Sequence, residues 1–119
     1  MTLAVVEDDV DVRTALNRLL RAMGHQVRPF SSAEEFAKDR PDIDCLILDI
    51  RLPGLNGLEL RAQMRADGER LPLVFITGDA DYSLGSDIPT DVPILRKPFD
   101  EDSLVAALGS AVGPVYLNQ

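Results

Sequence analysis

Cys45-Leu46-Ile47-Leu48 is an unbroken run of four apolar residues, and Asp49 follows it directly. A run of this kind is the mark of a strand covered on both faces, as in a parallel sheet flanked by helices. Two further runs read the same way, Leu73-Val74-Phe75-Ile76 downstream and Leu3-Ala4-Val5-Val6 near the start. Between the first and second strands, Val12, Ala15, Leu16, Leu19, Leu20 and Met23 recur at three- and four-residue steps, one face of a helix. Gly24 stands where a helix stop is expected. Gln26–Phe30 reads as a short strand that Pro29 confines to a sheet edge.

Ser31-Ser32-Ala33-Glu34-Glu35 offers a serine N-cap with a glutamate three residues on, which predicts a short second helix. Pro53-Gly54 forms a turn, Asn56 can cap, and residues 58–66 suit a third helix. Residues 93–96 predict a last, shorter strand, and Asp100 caps a final helix with Leu104, Ala107, Leu108, Ala111 and Val112 facing inward. Strand and helix alternate throughout, which predicts an α/β domain, a parallel sheet with helices on both sides. One cycle is weak. Residues 79–92 carry Gly85, Pro89 and many short polar residues, poor material for a helix.

The 119 residues suffice for one compact domain. No apolar run approaches the roughly 18 residues of a membrane helix, and the start lacks the basic region of a signal peptide. A cytoplasmic protein with no membrane partner is expected. The net charge of −8 argues against a nucleic-acid surface, which needs clustered Lys and Arg. Cys45, the sole cysteine, reads as a small buried hydrophobe. His25 reads as a solvated turn residue.

Chemistry collects at the strand ends, where open parallel sheets bind ligands. The first strand runs into Glu7, Asp8 and Asp9, the third into Asp49, the fourth into Thr77, and the last into Lys97-Pro98. Each has a plainer reading. The acids can open the following helix, since they favour helix N-termini. Thr77 alone is a strand-end residue, and Lys97 alone a surface charge. Joint placement on one rim changes the weighing. Crowded carboxylates call for a cation or for raised pKa values, and Mg²⁺ suits hard oxygen ligands shared with phosphate. An aspartate beside Mg²⁺ can act as a nucleophile toward phosphorus. A hydroxyl and an ammonium can then serve the phosphate oxygens.

At Val5-Val6-Glu7-Asp8-Asp9, Leu46-Ile47-Leu48-Asp49-Ile50-Arg51-Leu52-Pro53-Gly54, Val74-Phe75-Ile76-Thr77-Gly78 and Arg96-Lys97-Pro98-Phe99, the chain resembles the receiver domain of bacterial two-component response regulators. The likeness covers nearly the whole chain. It is strongest to the subgroup that commonly controls transcription. The resemblance implies a doubly wound, flavodoxin-like five-stranded sheet in the order 2-1-3-4-5, with a weak or irregular fourth helix here. It implies Asp49 as phosphoacceptor. It further implies Mg²⁺ held by Asp8, Asp49 and the Arg51 backbone carbonyl, with Glu7 acting through water. Asp9 ranks below Glu7 and Asp8. Thr77 would meet the phosphoryl group, Lys97 would pair with it, and the Lys97-Pro98 bond would be cis. The implied phosphodonor is a sensor histidine kinase or a phosphotransfer protein. A homodimer, an output domain or a target protein is the implied recipient of the signal.

Two departures touch the readout. Ile94 stands three residues before Lys97, where the family often has an aromatic residue that swings inward. The interval from Thr77 to Lys97 is also about two residues short. Ordering of residues 79–92 on phosphorylation is one alternative. The reading assigns 1–119 to a single receiver domain without an output domain, catalytic only in promoting its own phosphorylation and dephosphorylation. An aspartate-nucleophile phosphohydrolase commonly needs a second acid two residues after the nucleophile, and that position is Arg51. A phosphorylation-independent interaction module is the other alternative.

Overall fold

β3 (Cys45–Asp49) is buried along its whole length, and the other elements are arranged around it. β1 (Thr2–Val6) and β4 (Leu73–Thr77) pair with it in parallel, β2 (Gln26–Phe30) adds outside β1, and β5 (Ile94–Arg96) adds outside β4. The computed structural model describes residues 1–78 and 89–113. The strand order is β2-β1-β3-β4-β5, the doubly wound, flavodoxin-like arrangement. The three continuous apolar runs are the three central strands, and Pro29 lies on an edge.

Alternation along these strands divides the core into two layers. Ala4, Val6, Leu46, Leu48 and Phe75 pack with Phe36, Leu60 and Met64. These last three belong to α2 (Ala33–Asp39) and α3 (Gly57–Ala66). Leu3, Val5, Cys45, Ile47, Val74, Ile76 and Leu95 point the other way, onto Leu16, Leu20, Leu104 and Leu108. Those come from α1 (Val10–Ala22) and α4 (Glu101–Val112). Full burial of one such aliphatic side chain contributes roughly 1.5–3 kcal/mol.

The helix starts follow the side chains that cap them. Ser32 accepts a hydrogen bond from Glu35 N, Asp100 accepts from Ser103 N at 2.8 Å, and Asn56 and Glu59 form a reciprocal capping box. Glu35 does not complete such a box with Ser32; its carboxylate bonds Ser31 instead. Asp9 caps α1 by accepting from Asp11 N and Val12 N. That is the plainer role of an acid after the first strand.

Two expectations need correction. Ala15 is exposed, because the inward face of α1 narrows to Leu16 and Leu20 with Val12, Leu19 and Met23 at its margins. His25 is half-buried, and its Nδ1 lies 3.3 Å from the Met1 amine. Burial, together with that charge, lowers its pKa. Cys45 is buried as expected, and desolvation pushes its thiol up to about 12.

The weak cycle between β4 and β5 falls largely on residues 79–88, outside the described residues; among the described residues there are four helices. Just beyond, Asp91 pairs with Arg61 and Arg65 of α3, and Val92 is buried. No described helix is long and apolar enough to cross a membrane.

Candidate functional site

The parallel arrangement brings the C-terminal ends of β1, β3, β4 and β5 to one rim, and the sequence changes character there. Within the strands the residues are apolar. At their ends stand Glu7, Asp49 and Thr77, the only polar residues buried among those described, with Asp49 2% exposed and Thr77 3% exposed. Register keeps them together, since Asp49 lies opposite Ile76 and Thr77 opposite Arg96. Lys97 follows β5 directly. Its amide donates to the Thr77 carbonyl at 2.8 Å, and the Lys97-Pro98 bond is cis.

The Lys97 ammonium is the positive centre of the group. Its Nζ donates to Asp49 Oδ2 at 3.0 Å and lies 3.2 Å from Glu7 Oε2. The Asp49 carboxylate also accepts from Arg51 N at 3.0 Å. Two carboxyl groups therefore share one cation, and the crowding shows in the proton affinity of Glu7. Burial is the main cause that pushes the Glu7 pKa up to about 8. A hydrogen bond and repulsion from Asp49 add to this, against the Asp9 amide and Lys97. Burial also works against the Lys97 charge, but its contacts with Asp49 and Glu7 outweigh burial and raise its pKa.

Glu7, Asp8 and Asp49 each offer a carboxylate oxygen within 4.8 Å of the others'. Asp8 is exposed and the other two are buried, so the cluster opens to solvent on one side. A cavity of about 280 Å³ is lined here by Glu7, Asp8, Asp9, Asp49, Arg51, Gly78 and Lys97. Among the described residues the buried Thr77 Oγ1 has no hydrogen-bond partner, and Glu7 Oε2 has only its ion pair with Lys97. A buried oxygen without a donor costs about 1–3 kcal/mol, so the Thr77 hydroxyl fits a site built to receive something. The donor set is all hard oxygen, which suits Mg²⁺ better than a soft metal.

All the residues expected at the strand ends are thus brought to this rim. Asp9 lines the cavity, but its carboxylate is engaged at the start of α1. One contributor was not anticipated. Arg13, one turn into α1, donates from Nη1 to the Glu7 carbonyl at 2.8 Å and ties the first acidic loop to its helix. The only sequence signal for it is its place in the block from Glu7 to Arg13.

Comparison with known proteins agrees with this geometry. The family model for the response regulator receiver domain matches residues 3–109. Response regulator protein TodT of Pseudomonas putida is 37% identical over 112 residues, covering 91% of this chain and 49% of TodT. Transcriptional regulatory protein FixJ of Bradyrhizobium diazoefficiens is 36% identical, covering 91% of this chain and 55% of FixJ. The chain spans about half the length of the curated relatives it matches. Among solved structures, full-length FixJ from B. japonicum superposes with a TM-score of 0.83 at 34% identity, over 97% of this chain and 60% of that one. Response regulator StyR gives 0.79 at 36% identity, over 93% and 58%.

Proposed function

This chain belongs to the response regulator receiver domain family, and from that premise we infer that it is a phosphoryl-accepting switch with Asp49 as the acceptor. The observation that carries this reading is the buried Asp49 carboxylate. It has an ammonium at 3.0 Å, two further carboxylates beside it, and an unpartnered hydroxyl on the next strand.

A carboxylate oxygen of Asp49 attacks phosphorus while the bond from phosphorus to the donor's imidazole nitrogen breaks, and the electron pair of that bond leaves with the imidazole. The phosphodonor is the phosphohistidine of a sensor histidine kinase or a phosphotransfer protein. Asp8, Asp49 and the Arg51 carbonyl would hold Mg²⁺ directly, and Glu7 through water. When bound, the ion supplies positive charge that offsets the negative charge on the transferring group. Lys97, already paired with Asp49, follows the new charge onto the phosphoryl oxygens. Thr77 Oγ1 is buried and without a partner, so it gains a hydrogen bond when a phosphoryl oxygen arrives. Water later cleaves the acyl phosphate and restores the carboxylate.

Residues 1–119 act here as one receiver domain, working in the cytoplasm without membrane or nucleic-acid contacts of its own. The signal passes to a dimer partner, an output domain or a target. Ile94 is half-buried against the α2–α3 core layer and has no ring to exchange between exposed and buried positions. The output therefore uses another movement than an aromatic swing.

The test is incubation with Mg²⁺ and acetyl phosphate, followed by intact-mass spectrometry. One adduct of about 80 Da on the wild type, absent from Asp49→Asn and absent without Mg²⁺, is the expected result. A folded wild type without adduct would point to a phosphorylation-independent interaction module.

A further inference from the structure

The loop of residues 50–56 between β3 and α3 carries Arg51 and links the acceptor strand to the α2–α3 side of the sheet. Its ends are fixed by the fold. Ile50 N donates to Ile76 O at 3.1 Å, and Gly57 N donates to Ile50 O at 3.0 Å. The middle of the loop is held from a different element. Glu34, in the first turn of α2, accepts a hydrogen bond from Leu55 N through Oε2 at 3.0 Å. The same oxygen occupies the place of a side chain on Gly54. A Cβ there would lie 2.4 Å from it, and Gly54 has φ +73°. Glycine thus serves twice, admitting the left-handed turn and letting the carboxylate close on the backbone. Glu34 is exposed, yet the Leu55 amide, first among the causes, lowers its pKa.

We propose that Glu34 is a positioning residue for the metal-bearing loop: its carboxylate ties residues 54 and 55 to α2 and so steadies Arg51 beside Asp8 and Asp49. This rests on the phosphoryl-switch reading above, in which the Arg51 carbonyl is a ligand. Groups that orient ligands from behind typically change metal affinity by about 10–100-fold. Glu34 acts through four residues of backbone, and the buried Ile50 and Leu52 hold part of that length, so a smaller effect of about three- to tenfold is expected.

The experiment is Mg²⁺ titration by calorimetry, with amide hydrogen exchange at Leu55 measured without the ion. Wild type, Glu34→Ala and Glu34→Gln are compared. The alanine variant loses protection at Leu55 and binds Mg²⁺ about three- to tenfold more weakly. Glu34→Gln keeps an oxygen acceptor and stays within about twofold of wild type by the same reasoning. Unchanged Mg²⁺ affinity or unchanged Leu55 exchange in Glu34→Ala would overturn the proposal. So would an equal loss in both variants, which would mean that long-range charge, not the clamp, sets the affinity. A folded wild type that binds no Mg²⁺ would overturn the metal-site reading itself, which separates that failure from this one.

Discussion

Replacing Glu7 by glutamine should remove a pH dependence of stability that the wild type carries in metal-free buffer. The Glu7 carboxyl is fully buried and shares Lys97 with Asp49, and its pKa of about 8 stands well above the ordinary 4.5. Between those two values the native state holds a proton that the unfolded chain has released. Stability therefore falls as pH rises through that window and levels off above it. The slope approaches about 1.4 kcal/mol per pH unit, with a ceiling on the order of 5 kcal/mol across the window. Lys97 does not titrate there, since its pKa is raised. His25, with a lowered pKa, contributes the opposite sign, and does so equally in both proteins. Urea unfolding followed by circular dichroism at pH 5, 6, 7 and 8 with EDTA measures the difference. The wild-type midpoint should drop steadily while Glu7→Gln holds a flatter line and is the more stable protein at pH 8. Mg²⁺ should restore the wild type at high pH by about 2.7 kcal/mol at one hundred times its Kd. Parallel pH profiles for the two proteins without metal would refute the reasoning.

Thr77→Val deletes a buried hydroxyl that has no partner, so the unphosphorylated protein should keep its stability or gain about 1 kcal/mol. Loss of stability in thermal unfolding would show that the hydroxyl is already engaged. Gly57→Ala should cost about 1–3 kcal/mol, because its Cβ would stand 2.4 Å from the Asp49 carbonyl and 3.0 Å from the Ile50 Cα, both backbone. The same variant should accept the phosphoryl group from acetyl phosphate more slowly, as the acceptor strand shifts. A variant with wild-type stability and rate would count against that close contact.

Much of this was legible in the residues, for physical reasons that differ between elements. Cys45-Leu46-Ile47-Leu48 and its two counterparts could only be covered strands, because four apolar residues in a row leave no face for water. Asn56, Asp100 and the Ser31-Ser32 pair, of which Ser32 is the cap, marked helix starts because such side chains accept from amides that the helix leaves unpaired. The resemblance supplied strand order and residue roles that periodicity alone does not contain. Contacts set by three-dimensional approach were not legible. Glu34 and Leu55 lie 21 residues apart, and nothing in either neighbourhood marks the pairing. Arg13 reached a carbonyl and not a charge. Ala15 matched the helical spacing but lay at the margin of a face narrower than the pattern suggested, and His25 gained its neighbour from the chain start.

The margins of the sheet bear on how the protein behaves in concentrated solution. At one side β2 presents Gln26, Arg28 and Pro29 to solvent, and a proline has no amide to offer an incoming chain. At the other, β5 is three residues long and ends on exposed Arg96. A charge, a proline and shortness are the devices that stop strand-by-strand growth at a sheet edge. Both margins therefore disfavour the addition of a further strand from another molecule.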